Sequence, residues 1–183
     1  MRYQGIIIAG FGGQGILSIG RVLAQAGMDE GMHVTWLPSY GPEIRGGTAY
    51  CHVILSDSPI GSPLLNSATT LIAMNKPSLE KYYGLVQDGG LVIADGSIID
   101  KPPEGLDRSR LRYYSLPATK VALDSGNSAF ANIILTGKLL AKTSILSAGS
   151  VEAALYKVLS ARYRHMIPKE MELLQFGMDY GEN

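Results

Sequence analysis

The sequence contains a single cysteine, Cys51, among its 183 residues. One thiol cannot form an internal disulfide, and it cannot supply the four thiolates that hold an iron–sulfur cluster. Histidine is also scarce, because His33, His52 and His165 are the only three and lack the spacing of metal ligands. We therefore expect no such cluster and no metal site on this chain alone.

Charge is scarce and balanced. Only 17% of the residues are charged, and the 16 acidic and 16 basic side chains cancel to a formal net charge of zero. Nucleic acids and anionic membranes are bound through basic surfaces. The densest group of basic side chains, in residues 157–169, has the helical spacing typical of a solvated face. The composition argues against both partners and favours apolar surface that a permanent protein partner covers.

Long hydrophobic runs are absent. The longest apolar stretch, residues 130–141, is interrupted by Asn132, Thr136 and Lys138, so it is not expected to span a membrane. No signal-peptide pattern precedes the apolar residues 6–8. These absences predict a cytoplasmic protein without a membrane partner. The length predicts one domain over residues 1–183.

An alternation of strands and helices is present. Short apolar runs predict strands at residues 6–9, 33–37, 69–74, 91–94 and 112–116. Apolar residues at helical spacing and capping residues predict helices at residues 16–28, 77–87, 129–142, 151–161 and 169–176. The order indicates an α/β protein, namely a three-layer α/β/α, Rossmann-like domain with a mostly parallel sheet.

One further strand, residues 49–55, is expected to run against the others. It follows strand 33–37 after a loop rich in glycine and proline that is only about a dozen residues long, whereas a parallel crossover needs that much chain for its helix. Such a loop cannot form the helix. We therefore predict that residues 49–55 form an antiparallel strand.

A glycine-rich loop follows the first strand. Residues 10–15 read Gly-Phe-Gly-Gly-Gln-Gly and match G-x-G-x-x-G, in which glycines permit a tight turn and the N–H groups of the next helix face an anion. A nicotinamide site also needs an acid at the end of the second strand, but residues 36–40 contain none. This argues against NAD. Two interpretations stay open: contact with a phosphate-like group or a partner chain, or a turn that only packs helix on strand.

Two segments carry a resemblance to a known family. Residues 10–17 and residues 38–48, Pro-Ser-Tyr-Gly-Pro-Glu-Ile-Arg-Gly-Gly-Thr, resemble the opening motifs of the γ subunits of 2-oxoacid:ferredoxin oxidoreductases, of the pyruvate/2-oxoglutarate synthase type. Weaker matches follow in the same order over essentially the whole chain, at residues 60–63, 71–75, 88–90, 116–119 and 126–137. The 2-oxoglutarate branch is favoured. The small subunit of indolepyruvate ferredoxin oxidoreductase is the alternative, but it carries Gln where this chain has Ile44.

The resemblance implies a place in a multi-subunit enzyme. The family reaction is CoA-dependent oxidative decarboxylation of a 2-oxoacid to acyl-CoA, with reduction of ferredoxin. The implied partners are α and β subunits that bind thiamine diphosphate and Mg²⁺, and a ferredoxin-like δ subunit. The implied iron–sulfur clusters also lie on other subunits or domains. No catalytic residue and no bound cofactor are expected on this chain, which lacks the Gly-Asp-Gly…Asn motif for thiamine diphosphate.

The same resemblance selects two groups of candidate contact residues. The first group, for a CoA phosphate or a partner chain, is Gly10, Gly12, Gly13, Gln14 and Gly15. The second group, for a loop at the CoA entrance and against a partner, is Tyr40, Glu43, Arg45, Gly46 and Gly47. The planar guanidinium of Arg45 suits a carboxylate or a phosphate, but a pair with Glu43 that only shapes the loop is an equal alternative.

Two other functions remain open, a free-standing nucleotide- or CoA-binding module and a purely structural scaffold. The remaining polar candidates are expected to be unremarkable. Cys51 alternates with Tyr50 and His52 on a predicted strand and should be a small buried side chain rather than a nucleophile. Asn132 lies in an apolar helix and should bond either to a partner or within the core.

Overall fold

The structure, a computed structural model, describes residues 1–40 and 47–181. In chain order its elements are β1 (Tyr3–Phe11), α1 (Ile16–Asp29), β2 (His33–Tyr40), β3 (Thr48–Ser56), β4 (Ala68–Ala73), α2 (Lys76–Tyr82), β5 (Val86–Asp95), β6 (Arg112–Leu116), α3 (Ala118–Asp124), α4 (Ala131–Thr143), α5 (Ala148–Val158) and α6 (Ile167–Asp179). Short 3₁₀ turns occupy Tyr83–Leu85, Ser128–Phe130 and Ala161–Met166. Within these described residues, no helix is both long enough and apolar enough to cross a membrane.

The six strands form one sheet in the order β2-β3-β1-β4-β5-β6. Strand β3 is antiparallel to both of its neighbours, β1 and β2, whereas β1, β4, β5 and β6 run parallel. The predicted α/β class, the mostly parallel sheet and the antiparallel strand near residues 49–55 are therefore confirmed. The carboxyl end of β1 lies beside the start of β3, because Phe11 pairs with Thr48.

The sheet has a buried core on each face. Alternating side chains of β1 divide between them, since Ile6 and Ile8 point to one face and Ile7 and Ala9 to the other. The larger core packs against α1 and the helices from α3 to α6. The smaller one is closed by α2 and by the chain segments around Leu65, Ile99 and Leu111. Side chains from both faces reach the carboxyl end of β1, where the glycine loop begins.

Strand β2 and helix α2 end at other residues than predicted. Strand β2 was expected to stop at Pro38 but continues to Tyr40. Pro38 is tolerated because β2 is an edge strand, where a missing N–H need not break a hydrogen bond. The second predicted helix ends at Tyr82 rather than at residue 87, and β5 already begins at Val86. Gly89 adopts a φ of 75° within that strand, and its N–H donates to the carbonyl of Arg110.

Two helix starts also differ from expectation. Helix α5 begins three residues earlier than predicted, because Ser147, not Ser150, is its cap and accepts a hydrogen bond from the N–H of Ser150. Helix α3 was not predicted at all. The fully buried carboxylate of Asp95 accepts hydrogen bonds from the N–H and the hydroxyl of Thr119, in the first turn of α3. The N-cap residue Pro117 provides no side-chain cap for α3, and the carboxylate of Asp95, 24 residues before Thr119, takes its place.

Helices α4 and α6 cross in direct backbone contact. A Cβ atom at Gly177 would overlap the carbonyl oxygen of Ile134, and a Cβ at Gly137 would overlap that of Leu174. The fully buried Lys138 extends this contact, because its Nζ donates to the carbonyl of Met178 at 3.1 Å and to that of Tyr180 at 2.6 Å. Helix α4 is thereby fixed on the sheet, and its N-terminal turn points at the glycine loop.

We predict that Gly177→Ala destabilises the protein. The added methyl group would meet rigid backbone rather than a flexible side chain, so the free energy of unfolding should fall by about 1–3 kcal/mol, as is usual for overpacking. Gly149→Ala on α5 is the matched control, because its Cβ would meet only the Oγ of Ser147, at an ordinary contact distance of 3.9 Å. This substitution should raise stability by about 0.5–1 kcal/mol. Urea denaturation of both variants measures this. Equal changes in the two variants would contradict the proposed crossing.

Candidate functional site

The glycine loop connects β1 to α1 through two left-handed residues. Gly13 has a φ of 96° and Gly15 a φ of 74°, values that side chains other than hydrogen adopt only with strain. Gly15 is also the N-cap residue of α1 and provides no side-chain cap. The first N–H groups of the helix are therefore left without a capping side chain.

Gln14 holds this loop together from within. Its Oε1 accepts the N–H of Phe11 at 2.6 Å, and its Nε2 donates to the carbonyl of Met74 at 3.1 Å. Met74 follows β4, whose last residue, Ala73, pairs with Ala9. The side-chain amide of Gln14 thus ties the glycine loop to the ends of two neighbouring parallel strands, β1 and β4.

Helix α4 supports the loop from the larger core. The Nδ2 of Asn132 lies 3.3 Å from the carbonyl oxygens of both Gln14 and Gly15. A Cβ at Gly15 would overlap that same nitrogen, and a Cβ at Gly10 would lie 2.5 Å from the Oε1 of Gln14 and 3.0 Å from the Cβ of Met74. Asn132 therefore bonds within this chain, and Gly10 and Gly15 are required by packing.

Gly12 and Gly13 have a different environment. The N–H of Gly12 donates to the carbonyl of Gly47 at 3.0 Å, which joins the glycine loop to the second candidate loop. Gly13 is exposed, and no atom lies within 4 Å of the position that its Cβ would take. Among the described residues, the N–H groups of Gly13 and Gly15 make no hydrogen bond. Together with the positive end of the α1 dipole, they leave room for an anion.

The structure brings the two predicted loops together. The second loop leaves β2 at Tyr40, which is 69% exposed, and returns at Gly47 beside Gly12. Tyr40 pairs with Ala49, so the two ends of this loop lie side by side. The predicted contacts Glu43, Arg45 and Gly46 lie outside the described residues.

A cationic group that the sequence did not indicate lies at the start of β3. The Nζ of Lys81 is 5.8 Å from the ring centre of Tyr50 and 5.1 Å from that of Tyr82. The two rings pack with their centres 5.3 Å apart. Lys81 and Tyr82 are neighbours in the sequence, but Tyr50 comes from another part of the chain. The sequence therefore does not reveal that Lys81 contacts both rings.

Cys51 and His52 are buried structural side chains. The Sγ of Cys51 lies 3.6 Å from the carbonyl oxygen of Ile16, and burial raises the pKa of this thiol to about 12, so it is not a thiolate at neutral pH. The Nδ1 of His52 accepts the N–H of Leu65 at 3.1 Å, and burial lowers the pKa of the imidazole. Within residues 1–40 and 47–181, no group of three or more His, Cys, Asp or Glu side chains is arranged to hold a metal ion.

We predict that Gln14→Met weakens the fold around the loop. Methionine has a similar length but cannot bond to the N–H of Phe11 or the carbonyl of Met74, so the free energy of unfolding should fall by about 1–2 kcal/mol. Gln25→Met is the matched control, since Gln25 makes only an exposed bond to Asp29 and should cost about 0.5 kcal/mol or less. Equilibrium denaturation compares them. A Gln14 variant no less stable than the control would contradict the bracing role of Gln14.

Comparison with known proteins places the fold and the motifs in one family. Residues 5–180 match the family described as pyruvate ferredoxin/flavodoxin oxidoreductase. The ketoisovalerate oxidoreductase subunit VorA of Methanothermobacter marburgensis is 42% identical over 134 residues, which are 73% of this chain and 27% of VorA. The chain thus spans about a quarter of the length of VorA. The 2-oxoglutarate synthase subunit KorC of Methanothermobacter thermautotrophicus is 36% identical over 154 residues, which are 82% of each chain.

Solved structures agree with this match. The γ subunit of a keto/oxoacid ferredoxin oxidoreductase from Geobacter sulfurreducens PCA has a TM-score of 0.81 at 25% identity, over 98% of this chain and 96% of that one. A 2-oxoglutarate:ferredoxin oxidoreductase from Magnetococcus marinus also gives a TM-score of 0.81, at 21% identity, over 100% of this chain and 31% of that one, and supports the fold. The resemblance to γ subunits is confirmed, and the chain belongs to the pyruvate ferredoxin/flavodoxin oxidoreductase family.

Proposed function

We propose that this chain, as one domain over residues 1–183, is a γ subunit of a cytoplasmic 2-oxoacid:ferredoxin oxidoreductase complex. The complex decarboxylates a 2-oxoacid with coenzyme A, forms acyl-CoA and reduces ferredoxin. The 2-oxoglutarate branch is favoured by the second motif and by the similarity to KorC over most of both chains. The observation that carries the proposal is the meeting of both family motifs in one place, through the hydrogen bond from Gly12 to Gly47.

The proposal assigns the redox and thiamine chemistry to other chains. The single thiol, Cys51, is buried with a raised pKa, and this does not fit a cluster ligand. Thiamine diphosphate and Mg²⁺ then belong to the α and β subunits, and the iron–sulfur clusters to partners such as a ferredoxin-like δ subunit. Ferredoxin accepts the electrons from the assembled complex.

The part played by this chain is to bind and to position rather than to react. The exposed N–H of Gly13 and the uncapped start of α1 offer donors and partial positive charge to a phosphate of coenzyme A or to an acid of a partner chain. The loop from Tyr40 to Gly47, which contains Glu43, Arg45 and Gly46, ends at Gly47 beside Gly12 of the same glycine loop. We assign to it the rim of the CoA entrance.

Co-purification tests the subunit role directly. A γ subunit is recovered with α and β chains, whereas a free-standing CoA-binding module is recovered alone. Calorimetric titration of coenzyme A, first into the isolated chain and then into the complex, separates a binding role from a scaffold role. Recovery of the chain alone, with tight CoA binding, would replace the subunit proposal by the free-standing module.

We predict that Gly13→Asp impairs the complex more than Gly13→Asn. Both variants place a side chain on the same left-handed backbone, which Asp and Asn tolerate better than most residues, so both should melt at similar temperatures. Only Asp puts a negative charge where an anion is expected, and it should raise the KM for CoA by about tenfold relative to Asn. Steady-state kinetics measures this. Equal KM values in the two variants would remove Gly13 from the site.

We also predict an effect of Arg45→Ala in the assembled complex. Loss of the guanidinium should raise the KM for CoA by about tenfold or reduce assembly, because a charged, bidentate contact is lost. Arg45→Lys is the comparison, since it keeps the charge and loses the planar fork. Kinetics and size-exclusion chromatography read out the two effects. Normal assembly with unchanged CoA kinetics in Arg45→Ala would eliminate this role.

A further inference from the structure

A half-open cavity lies behind the glycine loop, on the side of the larger core. It measures about 290 Å³ and is bounded by α1, α5, the start of α4 and the start of α6. Its walls are mainly apolar, formed by Ile19, Val22, Ile133, Leu155, Leu159 and Met166. Cofactors and drug-sized ligands occupy cavities of about 300–1,000 Å³. This cavity is at the lower limit of that range and is better matched to one large side chain.

Glu170 is the one charged residue among those that line the cavity in the described chain. Its Oε2 is buried and has no hydrogen-bond partner among the described residues. Burial raises the pKa of this carboxyl group, and no cation of residues 1–40 or 47–181 offsets that effect. A carboxylate oxygen that is buried without a partner is costly, so native proteins rarely keep one without a use.

Three basic side chains on the neighbouring elements are engaged elsewhere. Lys169, next to Glu170, pairs with Glu172 at 2.7 Å, and Lys157 of α5 pairs with Asp29 at 2.7 Å. The guanidinium of Arg162 lies 4.6 Å from the centre of the Tyr163 ring. None of these three cations is therefore paired with Glu170.

A second acceptor lines the same cavity. The Nδ2 of Asn132 donates to the carbonyls of Gln14 and Gly15, and its Oδ1 remains as an acceptor. A carboxylate, an amide oxygen and apolar walls suit a group with several donors at the end of an aliphatic stem. Arginine and lysine side chains have this form.

We propose that the cavity receives an arginine or lysine side chain of a partner subunit, with its cationic end on Glu170 and its stem along the apolar walls. This inference rests on the proposed function, because it requires a partner. The negative charge of Glu170 complements the positive side chain, and Gly15 belongs both to the cavity wall and to the loop proposed to face the partner. The contact would anchor the same face that carries the glycine loop.

The test compares Glu170→Gln with Glu152→Gln, an exposed acid on α5. Affinity of each full-length variant for the preformed α–β partner complex is measured by biolayer interferometry, and the melting temperature of each isolated chain by calorimetry. Glu170→Gln should weaken binding by about tenfold or more, which corresponds to one charged hydrogen bond. It should melt no lower than the wild type, because it removes a buried charge without a partner. Glu152→Gln should change neither quantity.

The outcomes separate this inference from the proposed function. If the wild type does not bind the partner complex, the proposed function fails first. If the wild type binds and Glu170→Gln binds equally well, the cavity assignment is wrong. If Glu170→Gln loses affinity and melts lower to a matching degree, Glu170 is a structural residue, which also overturns the assignment. Normal assembly of this variant, together with a melting shift of the isolated wild type in n-butylammonium chloride, would assign the cavity to a small cationic molecule instead.

Discussion

Nine residue pairs join β1 to β3, from Tyr3 opposite Ser56 to Phe11 opposite Thr48. Because this pairing is antiparallel, β3 begins beside the carboxyl end of β1. The loop between β2 and β3 must therefore close beside the glycine loop, and the hydrogen bond from Gly12 to Gly47 records that contact. If β3 ran parallel to β1, these two loops would lie at opposite ends of the strands. The direction of one strand thus decides whether the two family motifs form one site.

The residues of the glycine loop have different roles: some pack against the core and hold the loop rigid, and others form an exposed surface. Gly10 and Gly15 allow Gln14 and Asn132 to approach the backbone, and these two amides occupy the inward carbonyls and N–H groups of the turn. Gly13 is left exposed. Since the turn is held from the core side, the N–H groups of Gly13 and Gly15, which make no hydrogen bond among the described residues, are fixed in position by the fold. A preorganised donor set binds an anion with less loss of conformational entropy than a mobile loop does.

Sequence patterns were sufficient where local structure decides the outcome. Apolar runs and the short loop before β3 predicted the α/β class and the antiparallel strand, because a connection of that length cannot hold a crossover helix. Features set by distant residues were missed. Pro38 is tolerated only because β2 lies at the edge, and α3 starts where a buried Asp95 accepts the N–H and the hydroxyl of Thr119, 24 residues away. The G-x-G-x-x-G pattern located the loop, but it could not tell the packing glycines from the exposed one, since that depends on Asn132 in α4.

Two charged side chains beside the larger core differ in their hydrogen-bond partners. Lys138 is fully buried, and its Nζ donates to the carbonyls of Met178 and Tyr180 at the end of α6, so the fold itself supplies hydrogen-bond partners for the ammonium group. Glu170, at the other end of the same helix, has a buried oxygen with no partner among the described residues. The first turn of α6 favours an acid through the helix dipole, but the dipole gives the buried Oε2 of Glu170 no hydrogen-bond partner among the described residues. Glutamine would fit the same space without the cost of burying a charged oxygen. A cation supplied from outside the chain accounts for both the unpaired oxygen and the empty space next to it.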